Sequence, residues 1–272
     1  MMTMKRQKIT ALILAAGKGT RMGGGNKPKV LYDLAGRPML QHILDTLWSL
    51  SLGSYAIVLD DSWAQFLPLL EQYKDIRVCH QKKRNGTGGA VAACASLFKG
   101  VPGISYAEGD LVRGKTITEG ESLLVCYGDT PLLDSSLLQN FIDYHEHSSS
   151  DLTVLGMDHP MPTGYGRFIL SADKSELLRI VEEKDATEEE RRIHICNSGI
   201  ILAKTNLIFE LLRLIKNNNS QNEYYLTDVI SLAQGRASVR AYITKNWEIL
   251  TGVNTQEQLK EAEKIFASRL LV

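Results

Sequence analysis

Ile9-Thr10-Ala11-Leu12-Ile13-Leu14-Ala15-Ala16-Gly17-Lys18-Gly19-Thr20-Arg21-Met22 decides the fold. Positions 9–16 form an almost wholly apolar run, the pattern of a strand buried on both faces. The glycine-rich loop over 17–25 follows directly, at the carboxyl edge of the sheet where open α/β proteins hold their ligands. Two familiar phosphate loops do not match it. A dinucleotide fingerprint needs a glycine three residues after Gly19, where Met22 stands, and a Walker loop needs lysine next to Ser or Thr, where Gly19 separates Lys18 from Thr20. What remains is a small-residue turn whose amides can approach an anion closely, followed by Arg21 and by Lys29 in Pro28-Lys29-Val30-Leu31. Two cations beside such a nest of N–H groups suit a triphosphate better than a neutral sugar.

Outward from this loop, strand and helix alternate. Leu40, Ile43, Leu44, Leu47 and Trp48 lie at helical spacing before Gly53, and 54–59 reads as the second strand. A helix near 63–73, a strand over 76–80, a helix through 90–98 and a strand over 123–127 continue the rhythm. Such alternation means right-handed crossovers and a mostly parallel sheet with helices around it. After the helix carrying Leu137, Leu138, Phe141 and Ile142, shorter strands over 152–156, 167–170, 177–181 and 193–203 predict antiparallel additions on a substrate-facing half. Helices near 207–214 and 226–233 and a strand near 239–243 follow. The last helix opens on Thr255 with Gln258 three residues on, a capping-box pattern, and buries Leu259, Ile265 and Phe266. The stretch 101–120, with glycines at 103, 109, 114 and 120, reads as a surface insertion, at most a small hairpin.

The 272 residues are 44% hydrophobic and 23% charged, which excludes collagen-like, low-complexity and disordered classes. Thirty-one basic residues balance 31 acidic ones, so the electrostatic basis for a nucleic-acid or membrane-surface partner is missing and the expected ligand is small. Cys79, Cys94, Cys126 and Cys196 form no C-x-x-C pair and signal neither zinc nor redox chemistry. His145 and His147, two apart on one helix, point in different directions and are not read as a metal pair, and the charged run 188–192 reads as a solvated helix face. The apolar run 9–16 is too short to span a membrane, and the expected compartment is the cytoplasm.

Leu14-Ala15-Ala16-Gly17-x-Gly19-Thr20-Arg21-Met22, followed by Pro28-Lys29, resembles the signature of the sugar nucleotidyltransferases, which join a nucleoside triphosphate to a sugar 1-phosphate and release pyrophosphate. Further segments narrow the resemblance: Gly86-Thr87-Gly88, Tyr127-Gly128-Asp129-Thr130-Pro131-Leu132, Thr163-Gly164-Tyr165-Gly166-Arg167, Val181-Glu182-x-Lys184-Asp185-Ala186-Thr187, Asn197-Ser198-Gly199-Ile200, Asn222-Glu223-Tyr224-Tyr225-Leu226-Thr227-Asp228 and Gly252-Val253-Asn254. In this order they are similar to the uridyltransferase half of the bacterial bifunctional N-acetylglucosamine-1-phosphate uridyltransferases, over roughly residues 9–265.

The resemblance implies a Rossmann-like α/β nucleotidyltransferase domain across 1–272. Its nucleotide-binding part is about 1–150, its sugar-binding part about 151–254 and its C-terminal helix 255–271. It implies transfer of a uridylyl group from UTP to N-acetylglucosamine 1-phosphate for cell-envelope precursors. Relatives using another base or sugar, and an inactive regulatory domain, stay open. Arg21 and Lys29 are the implied catalytic cations. Leu14, Ala15, Ala16, Gly17, Lys18, Gly19, Tyr127 and Gly128 are placed at the nucleotide, with Gln81, Gly86 and Thr87 at the uracil. Asp129 and Asn254 are the implied magnesium ligands. Gly164, Glu182, Asn197, Tyr225 and Thr227 are placed around the sugar ring, and Lys184 near its phosphate. Arg84 stands where the family has a second glutamine, Gly89 where close relatives have histidine, and the Met22 to Pro28 spacing is one residue longer. The bifunctional relatives also carry a second half of hexapeptide repeats. No such period occurs in these residues, so the expectation is that they do not transfer acetyl groups from acetyl-coenzyme A and lack the trimer contacts of that half.

Overall fold

The structure, a computed structural model, describes residues 6–17, 22, 27–118 and 120–269. In chain order the strands are β1 (Ile9–Leu14), β2 (Asp33–Leu34), β3 (Arg37–Pro38), β4 (Ser54–Leu59), β5 (Arg77–Gln81), β6 (Gly109–Arg113), β7 (Ser122–Tyr127), β8 (Leu152–Asp158), β9 (Arg167–Leu170), β10 (Leu177–Val181), β11 (Ile195–Lys204) and β12 (Val239–Thr244). The helices are α1 (Met39–Ser49), α2 (Leu67–Leu70), α3 (Thr87–Ala93), α4 (Ser135–His147), α5 (Glu188–Arg191), α6 (Thr205–Leu212), α7 (Asp228–Leu232) and α8 (Gln256–Arg269).

Every residue of β1 is buried, as its unbroken apolar run requires, because the strand has neighbours on both edges and helices on both faces. It pairs in parallel with β4 on one side and β7 on the other, and Leu14 stands in register with both Val58 and Tyr127. β5 extends the parallel set beyond β4. Side chains alternate between the two faces. Ile9, Ala11 and Ile13 join the core under α1, α4 and α8, while Leu12 and Leu14 join the core under α3, α6 and α7. Helix α1 places Leu40, Ile43, Leu44 and Leu47 wholly inside the first core. On the far side of β7 the sheet turns antiparallel: β11 pairs with β7 and with β8, β9 lies between β11 and β10, and β12 adds in parallel to β8.

Two local readings are corrected. The stretch 101–120 is more than a surface insertion, because β6 within it pairs antiparallel with β5 and forms an edge of the main sheet. The region 63–73 is a 3-10 turn over Trp63–Phe66 running into the short α2, with Pro68 near the start of α2. The capping box at 255 forms as read: Gln258 N–H donates to Thr255 Oγ1 at 3.2 Å, and Gln258 Oε1 accepts from Thr255 N–H at 3.1 Å. Helix α5 buries none of its residues. His145 and His147 face apart, the first on Thr153 Oγ1 at 2.7 Å in the interior and the second on the Asp143 carbonyl at the surface. All four cysteines are free and buried. Among the described residues no helix is long and apolar enough to cross a membrane.

Candidate active site

The parallel strands β1, β4, β5 and β7 end on one side of the sheet, and their carboxyl ends carry the site. Leu14, Ala15, Ala16, Gly17, Lys29, Gln81, Gly86, Thr87, Tyr127 and Asp129, ten of the residues singled out in the sequence, line one cavity of about 250 Å³. Val30, Arg84, Ala90 and Glu223 complete its wall. Gly128 lies one layer below, its N–H bonded to the Leu14 carbonyl at 3.0 Å, so it ties β7 to the start of the loop instead of facing the cavity. Lys18, Gly19 and Arg21 lie outside the described residues.

Lys29, on the 3-10 turn Lys29–Leu31, carries the densest polar contacts of the cavity. Its ammonium donates to Asp129 Oδ2 at 2.5 Å and to Asn254 Oδ1 at 2.8 Å, with both members of the Lys29–Asp129 pair largely buried. The loop that brings Asn254 here is held by backbone: Val253 N–H donates to the Asp129 carbonyl at 2.7 Å, and Asn254 N–H is held by Gln258 Oε1 at 2.7 Å. A carboxylate oxygen and an amide oxygen thus converge on a single positive charge. That is the donor chemistry a hard divalent cation takes, and a pair of protein oxygens fits an ion such as magnesium that fills its remaining positions with waters and phosphate oxygens.

The Gly86–Thr87 wall of the cavity is a turn with little room for side chains. Gly86 has φ +103, and a Cβ there would sit 2.6 Å from the Tyr224 carbonyl oxygen. Gly88 N–H donates to that carbonyl at 2.8 Å, Tyr224 N–H donates to the Asn85 carbonyl at 2.8 Å, and Leu226 N–H donates to Thr87 Oγ1 at 3.0 Å. A Cβ on Gly89 would lie 1.7 Å from Asn85 Oδ1, so any side chain at 89 requires the Asn85 side chain to move. Tyr106, from the stretch read as an insertion, stacks on Tyr224 with centroids 3.7 Å apart and accepts Asn85 Nδ2–H on its carbonyl at 2.7 Å. No sequence signal assigned Tyr106, Asn85 or Glu223 to the site.

Tyr127 joins this half to the next. Burial pushes its phenol above the usual range, the nearby Glu182 charge adds to the rise, and the Thr87 hydroxyl opposes it. Glu182 Oε1 accepts from Thr227 Oγ1 at 2.8 Å, and burial lifts its carboxyl above the ordinary value, against the effect of the Thr227 hydrogen bond. A Cβ placed on Gly166 would lie 3.4 Å from Glu182 Oε2 and 3.6 Å from Asn197 Cβ, so the 164–166 turn, Glu182 and Asn197 share one spot. Gly164 N–H is held by Glu183 Oε2 at 3.2 Å. Lys184 Nζ donates to Gln221 Oε1 at 2.7 Å, and Gln221 Nε2 donates to the Tyr225 hydroxyl at 2.7 Å, which strings Lys184 and Tyr225 into one network. Glu182 and Tyr225 also line a second hollow of about 280 Å³ beside Asp185 and Asp228. Burial, with Asp185 alongside, raises the Asp228 carboxyl to about 6.

Residues 11–217 match the MobA-like NTP transferase domain. The chain belongs to that family. Bifunctional protein GlmU of Staphylococcus saprophyticus is 36% identical over 264 residues, covering 96% of this chain and 53% of that protein. Bifunctional protein GlmU of Cupriavidus taiwanensis is 38% identical over 259 residues, covering 94% and 52%. The chain spans about half the length of the curated relatives it matches. In three dimensions it is similar to a UDP-glucose pyrophosphorylase solved with UDP-glucose, with a TM-score of 0.71 at 18% identity over 96% of this chain and 98% of that one, a likeness of fold. The family match and the curated relatives agree with the resemblance carried by the motif series.

Proposed function

We propose that the chain transfers a uridylyl group from UTP to N-acetylglucosamine 1-phosphate, giving UDP-N-acetylglucosamine and pyrophosphate. An oxygen of the sugar phosphate attacks the α-phosphorus in line, the bond from that phosphorus to the bridging β-phosphate oxygen breaks, and pyrophosphate carries away the electron pair. The reaction brings anions together and needs no nucleophilic side chain, so charge placement and alignment account for the acceleration. The single observation that carries the reading is the Lys29, Asp129 and Asn254 constellation at the mouth of a cavity walled by the 14–17 loop. The similarity to proteins named bifunctional protein GlmU supports the choice within the family.

In this reading Lys29 sets a positive charge beside the reacting phosphate and Arg21 grips the triphosphate. Magnesium held by Asp129 and Asn254 would supply charge neutralisation at the phosphates. Gln81 and the Gly86–Thr87 turn face the base. Glu182, Asn197, Thr227 and Tyr225 offer the sugar hydroxyls acceptors and donors beside an aromatic wall, and Lys184 serves the sugar's phosphate. Pyrophosphate release from each of four nucleoside triphosphates against several sugar 1-phosphates, with magnesium, tests the proposal. UTP with N-acetylglucosamine 1-phosphate is expected to be fastest, and glucose 1-phosphate or dTTP better by ~10-fold would move the assignment to another member of the family.

A further inference from the structure

Arg84 lines the nucleotide cavity, yet none of the roles above uses it. Its guanidinium is held from behind by Asp60, a carboxylate only 4% exposed at the end of β4, with Arg84 Nη2 donating to Asp60 Oδ2 at 2.5 Å. The other oxygen, Asp60 Oδ1, is taken by Ser62 through its N–H at 2.8 Å and its hydroxyl at 2.5 Å. Asp60 is thereby fixed in orientation and tethers the Arg84 guanidinium through Nη2. Among the described residues, Arg84 Nε and Nη1 donate to nothing. Three residues earlier Gln81 is pinned in the opposite sense: its Nε2 donates to the Lys83 carbonyl at 2.7 Å, which leaves Oε1 as an acceptor with no donor among the described residues.

The cavity lining therefore carries an acceptor free among the described residues, Gln81 Oε1, and, three residues along the chain, a cationic donor backed by Asp60. Of the nucleobases, uracil and thymine, with an imide N–H, and guanine, with a lactam N–H, carry the complement, a ring N–H next to a carbonyl oxygen. Cytosine and adenine carry the reverse, an unprotonated ring nitrogen next to an amino group, and would set donor against donor at Arg84. With Gln81 at the base, as proposed above, we propose that Arg84 is a second base-reading residue, donating to the carbonyl oxygen adjacent to the ring N–H that Gln81 Oε1 accepts. Arg84 is then a specificity-determining residue that Asp60 positions. The inference rests on reading the cavity as the triphosphate site, and it names the class of base that site takes.

The test is kcat/KM for pyrophosphate release by the wild-type chain with UTP, GTP, CTP and the triphosphate of pyrimidin-2-one riboside, which lacks both the 4-oxo group and the N3–H. UTP or GTP is expected to exceed CTP by at least ~10-fold, the 4-deoxo analogue is expected to fall below UTP by a similar factor if the base is a pyrimidine, and the UTP and GTP arms identify which base is taken. Arg84→Met is expected to bring the preferred triphosphate to within ~3-fold of CTP, mainly through KM. An unchanged selectivity ratio in Arg84→Met, with only a lower melting temperature, would assign Arg84 to pairing with Asp60 alone and overturn the proposal. So would equal use of UTP and the 4-deoxo analogue by the wild type, a result that needs no variant to fold. A preference for CTP would hand base reading to Glu223 and equally overturn it. Absence of release with every triphosphate and sugar phosphate would sink the catalytic reading itself, a result distinct from wrong base choice.

Discussion

Lys29 Nζ donates to Asp129 Oδ2 over 2.5 Å, although 100 positions of sequence separate the two residues. The same ammonium reaches Asn254, 225 positions away, so one lysine binds a carboxylate oxygen and an amide oxygen together. A cation already stands between the two residues expected to hold magnesium, and any divalent ion bound there competes with it.

Removing the ammonium exposes that competition. Lys29→Met leaves the largely buried Asp129 carboxylate without its partner and is expected to cost ~1–3 kcal/mol of stability in metal-free protein. Magnesium should then raise the melting temperature more in the variant than in the wild type. Equal shifts in the two proteins would place the ion elsewhere. In activity, Lys29→Met and Arg21→Ala are each expected to lower turnover by ~10² or more, and Asp129→Asn to raise the magnesium needed for half-maximal rate.

Gly86→Ala tests the turn at the base. The substitution combines φ +103 with a Cβ 2.6 Å from a backbone oxygen that has no flexible end to move. A loss of ~2 kcal/mol or more in denaturant unfolding is expected, with weaker nucleotide binding because Thr87 and Gly88 hold Tyr224 and Leu226 in the same turn. A variant as stable as the wild type would contradict the turn geometry.

Glu182→Gln tests the sugar half. The amide can still accept from Thr227, so the fold is expected to hold, while the acceptor proposed for a sugar hydroxyl changes character. KM for the sugar 1-phosphate should rise by ~10-fold with KM for the triphosphate changed by less than ~3-fold. A rise confined to the triphosphate would place Glu182 in the wrong half.

His145 sets an acid limit on stability. Burial depresses its imidazole to about 4, below its ordinary value of 6.5. With the folded value the lower one, the unfolded chain binds the extra proton first, so stability is intact above pH 6.5 and is lost as pH falls toward 4. The shift corresponds to roughly 3 kcal/mol at its full extent. Melting temperature followed from pH 7.5 to pH 4 should fall less steeply in His145→Gln than in the wild type, and parallel curves would show that another group governs the acid limb.

The sequence by itself determined the layered α/β plan. Strands over 54–59, 167–170 and 177–181 lie where the pattern puts them, and the capping box at Thr255 forms, because burial periodicity, caps and glycine stops are local properties of neighbouring residues. The types of residue in the candidate site were legible too, since the motif series names them. Tertiary structure alone decided their partners. β6 escaped notice because an edge strand with alternating half-exposed residues has a weak local pattern, and only pairing with β5 defines it. The Asn85 side chain beside Gly89 and the Asp60 carboxylate that pairs with Arg84 are likewise tertiary neighbours that the local sequence does not name. Lys29 meets Asp129 and Asn254 only after β1, β7 and the loop before α8 have come together, a consequence of long-range chain packing that no short window of sequence encodes.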